Sequence, residues 1–142
     1  MGFNEDLVAQ FRKNRGLITE GSFTGRDILV LTTTGAKTGL PRTKPLVYAR
    51  DGERYLIIAS KGGAPTHPAW YHNLRTHSEV TVEVGAETFQ AKATAFSRGP
   101  ERRRLYDIAS EANPGFKDYE RKTEREIPAI LLERLPAAGV PS

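Results

Sequence analysis

The stretch Thr32-Thr-Thr-Gly-Ala-Lys-Thr-Gly-Leu-Pro-Arg42 gathers hydroxyls, glycines, a lysine and an arginine on a short connection after the apolar run Ile28-Leu-Val-Leu31. Hydroxyls, free backbone N–H groups and fixed cations are what an anionic ligand requires. A second cluster, Ser60-Lys-Gly-Gly-Ala-Pro-Thr-His-Pro-Ala-Trp-Tyr-His-Asn73, joins a basic turn to the aromatic start of a helix. Together they suggest a site that grips an anionic tail at one end and a flat ring at the other. A phosphate would draw on the loop's N–H groups, on Thr38, and on Lys37 with Arg42. Strand alternation extends the positive strip, with Arg42 and Lys44 on one face and Thr43 on the other. Gly62 and Gly63 would let backbone come close to a ring. The loop is not a nucleotide P-loop, because Ala36 precedes Lys37 and prolines follow. Taken alone, it could equally be a solvated turn.

Other chemistries find less support. His67, His72 and His77 are spaced by five residues, which rotates each by about 140° around a helix, so they do not share a face. No cysteine and no suitably placed carboxylate completes a ligand set, so no metal is expected. His67 is expected to help cap the helix that Pro68 opens. Trp70 and Tyr71 could be plain core. The Asn73 amide, one turn after Trp70, could bond a ring edge or only backbone. Arg102-Arg-Arg104 lies beside Glu101 and Asp107 and reads as a solvated helix face, so nucleic-acid binding is not expected. No nucleophile–base–acid set and no carboxylate pair emerges. An enzyme of this kind would take its hard chemistry from a cofactor.

The elements that must position these residues belong to one domain of 142 residues, 38% hydrophobic and 27% charged, with net charge +4. The positive excess fits an anionic small ligand, an anionic membrane surface or nucleic acid without choosing among them. No apolar run approaches the ~20 residues of a membrane span. No secretory leader is expected, and a cysteine-free chain is compatible with the cytoplasm. Asn4 is expected to cap a helix with Leu7, Val8 and Phe11 on one face, ending near residues 14–16. That face would either pack on the barrel, the favoured reading, or rest on a membrane, with residues 1–15 making a peripheral contact. Residues 17–26 read as a loop. Strands are expected over 27–33, 43–50, 54–59, 80–84, 88–96 and 128–135, with Asp51-Gly52 as a hairpin turn. Helices are expected from Pro68 to about Arg75, from Pro100 to Asn113-Pro-Gly115, and over 116–123. Six β segments with tight turns predict an antiparallel barrel with helices packed outside.

The ordered motifs Leu31-Thr-Thr-Thr-Gly-Ala-Lys-Thr-Gly-x-Pro-Arg42, Pro45-Leu-Val-Tyr48, Ala59-Ser-Lys-Gly-Gly63, His67-Pro-Ala-Trp-Tyr-x-Asn-Leu74 and Arg125-Glu-Ile-Pro128 resemble the deazaflavin-dependent nitroreductase and quinone reductase family. The likeness runs from about Asp27 to Leu135, nearly the whole domain. It implies a split β-barrel related to flavin-mononucleotide-binding oxidoreductases. It implies the deazaflavin coenzyme F-420 as cofactor, and hydride transfer from its reduced form to a quinone or similar acceptor. The coenzyme contacts it implies are Ala36, Lys37 and Thr38; Arg42, Thr43, Lys44, Pro45, Leu46 and Val47; Ile58, Ala59, Ser60 and Lys61; and Ala69, Trp70, Tyr71, His72 and Asn73. It further implies an aromatic, here Phe116, closing over ring and acceptor; Tyr119, which keeps a hydroxyl there, and Ser60 are the candidate catalytic residues. Asn113, Phe116 and Val47 stand where prodrug-activating members carry tyrosines, implying a wider or less polar acceptor pocket. Two alternatives stay open: a coenzyme carrier without turnover, and an oxidoreductase using flavin mononucleotide.

Overall fold

The computed structural model describes residues 3–18 and 26–136. The elements are helix α1 (Phe3–Lys13), strands β1 (Ile28–Thr34), β2 (Pro41–Val47), β3 (Ala49–Asp51) and β4 (Arg54–Ile58), helix α2 (Ala69–Thr76), strands β5 (Glu79–Val84) and β6 (Glu87–Phe96), helices α3 (Pro100–Ala112) and α4 (Gly115–Lys122), and strand β7 (Ala129–Arg134). A single 3-10 turn covers Lys61–Gly63, between β4 and α2.

All strands among the described residues join one antiparallel sheet in the order β2-β1-β5-β6-β7-β4-β3. The two edges, β2 and β3, are separated in sequence only by Tyr48. A sheet whose opposite edges are chain neighbours must curl until they meet, and the result is a split β-barrel with helices packed around it. This is the expected fold with one correction. The strand expected over 43–50 is two strands, so the sheet has seven strands rather than six. The chain bends at Tyr48, whose N–H donates to the Asp27 carbonyl (3.0 Å), and crosses from one edge to the other. Pro41 and Pro45 lie in β2, opposite Thr34 and Val30. An edge strand tolerates them because its outer N–H positions need no ladder partner.

Apolar runs become strands buried on both faces. In β1, Leu29 and Leu31 join one core cluster with Trp70, Leu74, Val82 and Ile130, while Ile28 and Val30 pack under α1. In β4, Tyr55 and Ile57 face the first cluster, and Leu56 and Ile58 face a second with Leu105, Tyr106, Phe116 and Ile127. Helix α1 already includes Phe3, so Asn4 lies within its first turn instead of capping it. Its apolar face is used up: Leu7, Val8 and Phe11 pack with Ile18, Ile28 and Val30, and Phe11 is 1% exposed. The membrane-resting reading of that face is therefore corrected in favour of packing on the barrel. Among the described residues no helix is long and apolar enough to cross a membrane. Most of the loop expected over 17–26 lies outside the described residues.

Candidate functional site

β1 delivers its C-terminal hydroxyls to a loop that closes on itself. The Gly35 N–H donates to the Leu40 carbonyl (2.8 Å), the Gly39 N–H to the Gly35 carbonyl (2.9 Å), and the Leu40 N–H to Thr38 Oγ1 (3.2 Å). A Cβ on Gly35 would stand 2.6 Å from Thr38 Oγ1 and 3.2 Å from the Leu40 carbonyl oxygen, so a side chain there would force the loop to shift. Helix α2 is fastened to this loop by Asn73, which is 8% exposed. Asn73 Oδ1 accepts from the Ala36 N–H (3.0 Å), and Asn73 Nδ2 donates to Thr33 Oγ1 (3.1 Å). The Asn73 amide thus bonds the protein itself, the plainer of the two uses the sequence allowed.

Between loop, β2 and α2 lies a cleft of about 440 Å³, within the usual range for small-molecule sites. One wall holds Ala36, Lys37 and Thr38, the second Arg42, Thr43 and Lys44, and the third Ala69, Trp70, His72 and Asn73. Gly35 is the lining residue that sequence reasoning did not single out. No carboxylate lines the cleft. Elsewhere several arginines meet acids, as in Arg12–Glu83 at 2.8 Å and Arg102–Glu120 at 2.7 Å. Lys37, Arg42 and Lys44 are exposed to the cleft instead. Thr43 pairs with Thr32 through their hydroxyls (3.0 Å) across the β1–β2 ladder.

β4 ends in a tight turn over Ser60–Ala64, closed by Gly63 N–H to the Ser60 carbonyl (2.9 Å) and Ala64 N–H to the Lys61 carbonyl (3.1 Å). Lys61 takes φ 47°, a left-handed conformation that a side chain disfavours. Arg125, from the segment before β7, holds this turn. Its Nε donates to the Ala64 carbonyl (3.0 Å), Nη1 to the Ala59 carbonyl (3.1 Å) and Nη2 to the Ser60 carbonyl (2.8 Å). Nη1 also lies 2.8 Å from His67 Nδ1. His67 is therefore not a helix cap; Pro68 holds that position and no side chain caps it. Burial pushes the His67 pKa down, and the charges of Arg125, His72 and Arg75 push it the same way. Sequence reasoning missed Arg125 as a site residue, although its motif was visible.

The remaining expected residues lie apart from the cleft lining. Pro45 and Tyr71 are buried, and the Tyr71 hydroxyl accepts from Arg75 Nη1 (2.7 Å). Leu46 is half-buried against the first core cluster, and Ile58 belongs to the second. Ala59 and Ser60 are buried and Lys61 is exposed. Phe116, 8% exposed, packs in the second cluster, and the Tyr106 hydroxyl donates to its carbonyl. Phe116 and Val47 line a second hollow of about 210 Å³ with Tyr48 and Asn113. Half-buried Tyr119 stands edge-on to Phe116, ring centres 6.2 Å apart. Its backbone abuts the turn: a Cβ on Gly63 would come 3.0 Å from the Tyr119 carbonyl oxygen.

The split barrel thus carries a cleft walled by Lys37, Arg42 and Lys44, with Trp70 in its lining and no carboxylate among its lining residues. The family model for F420H(2)-dependent quinone reductase matches residues 5–134, and the chain belongs to that family. It is 46% identical over 108 residues to F420H(2)-dependent quinone reductase Rv1261c of Mycobacterium tuberculosis, covering 75% of this chain and 72% of the relative. Among solved structures it resembles an F420-H2 dependent reductase, FDR-A (TM-score 0.69, 38% identity, 76% of this chain and 95% of that one). It also resembles a chain described as a domain-swapped dimer (TM-score 0.71, 32% identity, 91% and 93% covered).

Proposed function

We propose that this protein oxidises reduced coenzyme F-420 by passing its hydride to a quinone. The observation that carries the reading is the carboxylate-free cleft, with Lys37, Arg42 and Lys44 open to a ligand, in a chain of this family. The donor set fits the coenzyme. Lys37, Arg42 and Lys44 with the Thr38 hydroxyl would hold its phosphodiester and carboxylate tail through charge-assisted bonds. Trp70 and the α2 start would support the ring, with Ser60 and Lys61 at the neighbouring turn. When bound, the coenzyme supplies the hydride; the protein supplies placement and electrostatics.

Quinone reduction leaves negative charge on oxygen, so a donor aimed at that atom speeds the step. Tyr119, whose backbone abuts the Ser60–Gly63 turn, is the candidate hydroxyl donor, and Phe116 offers an apolar face. The hollow lined by Val47, Tyr48, Asn113 and Phe116 is the candidate acceptor side. Its lack of the tyrosines seen in prodrug-activating members favours quinones over nitroimidazoles. The cysteine-free chain fits a cytoplasmic location.

Mixing the protein with reduced coenzyme and a short-chain quinone tests the reading. Coenzyme oxidation that requires both protein and quinone is the expected result. Binding without oxidation would make the protein a carrier, and purification with bound yellow flavin would make it a flavin enzyme.

A further inference from the structure

Arg125 is the best-connected side chain near the Ser60 turn, yet it lies outside the cleft. Its donors reach three carbonyls, those of Ala59, Ser60 and Ala64, and the fourth contact is His67 Nδ1 at 2.8 Å. Those carbonyls flank a turn that holds Lys61 in a left-handed conformation. Left-handed backbone on a residue with a side chain persists only when its surroundings over-determine it. The guanidinium provides that constraint from behind, with α4 pressed on the turn at Gly63. A planar fork with fixed donors suits this task; an ammonium does not.

We infer that Arg125 is a positioning residue for the coenzyme-facing Ser60–Gly63 turn, and that His67 makes its grip sensitive to pH by accepting a hydrogen bond only when neutral. The inference rests on the reading that this turn meets the coenzyme. Protonation puts a hydrogen on Nδ1 and a positive charge within 2.8 Å of a guanidinium, so attraction becomes repulsion. Burial and the positive charges around His67 favour its neutral form. From α2, the Tyr71 ring lies tilted against His67 with centres 4.5 Å apart, His72 lies at 5.7 Å and Arg75 adds positive charge. Lys61, on the turn, is tied to Thr66 at 3.2 Å. Across an open hollow stand Glu124, Glu126 and Arg98, with Arg98 and Glu126 paired at 3.0 Å. His67 is depressed below its ordinary range by burial first and by Arg125 second. The latch is therefore closed above the ordinary imidazole pKa of about 6.5 and opens as pH falls through the lower folded value.

The test pairs two readouts on the full chain. Amide hydrogen exchange at Gly63 and Ala64, without coenzyme, reports the turn. Fluorescence titration with coenzyme F-420 from pH 8 to pH 5 reports binding. Arg125→Lys keeps the charge but not the fork; His67→Gln keeps an acceptor that does not titrate. The parent chain should lose protection at Gly63 and Ala64 on acidification, and affinity should fall by at most about tenfold per pH unit, one proton's worth. Arg125→Lys should lower both at every pH, by about tenfold in affinity. His67→Gln should flatten both profiles. Unchanged protection in Arg125→Lys, or a His67→Gln profile that tracks the parent, overturns the inference. Altered protection with affinity unmoved removes the coenzyme from this turn, and the inference with it, while leaving the quinone reductase activity to stand or fall by its own assay.

Discussion

Lys37 and Arg42, like Lys44, line a cleft with no acid among its lining residues. Arg54, Arg104 and Arg134 pair with Asp51 or Glu87, whereas Lys37 and Arg42 face the cleft. Lys37→Ala and Arg42→Ala are each expected to weaken coenzyme binding by about 1–3 kcal/mol, the scale of a charge-assisted hydrogen bond. Added salt should weaken binding too, since exposed ion contacts are screened. Unchanged titration curves in both variants would move the anionic tail elsewhere. Tyr119→Phe removes the hydroxyl proposed as donor to the acceptor and nothing from the cleft lining. It should lower kcat for a quinone by about tenfold to a hundredfold and leave coenzyme affinity alone. Parental turnover would assign the proton to water or the coenzyme and leave Tyr119 without a catalytic role.

At the scale of elements, legibility followed distance along the chain. The cations of the first loop and of β2 could be read because they are contiguous and a strand's alternation is simple. The two-faced burial of β1 and β4 was legible as unbroken apolar runs. Arg125 was not, because the carbonyls it collects are 61 to 66 residues away and carry no side-chain signature. Asn73 was noticed, but its partner Thr33 is 40 residues distant. The break at Tyr48 was missed for a related reason. Residues 43–50 look like one strand locally, and only closure of the sheet divides them. For α1 the pattern gave an apolar face without saying what covers it. Since β1 covers it, Phe11→Ala should cost about 3–5 kcal/mol in a urea titration, the usual loss for a buried phenylalanine. A loss below about 1 kcal/mol would mean that the helix is not seated on the barrel.

For the whole molecule, the order of strands matters more than their number. β7 lies between β6 and β4, with Leu132 paired to both Ala93 and Tyr55. Until β7 is in place, the β3–β4 hairpin has no neighbour in the sheet, and a lone hairpin is marginal in water. On the ribosome, then, the chain would finish the β2-β1-β5-β6 half early and carry β3–β4 unpaired almost to the end of synthesis. The turn at Ser60, which hangs from β4, would be among the last parts to take shape. A chain stopped after Ile127 should therefore show strand signal by circular dichroism but bind no coenzyme and unfold without a cooperative transition. Residues 129–134 act as a keystone: laid last, and the piece without which the two arms of the arch cannot lean on each other.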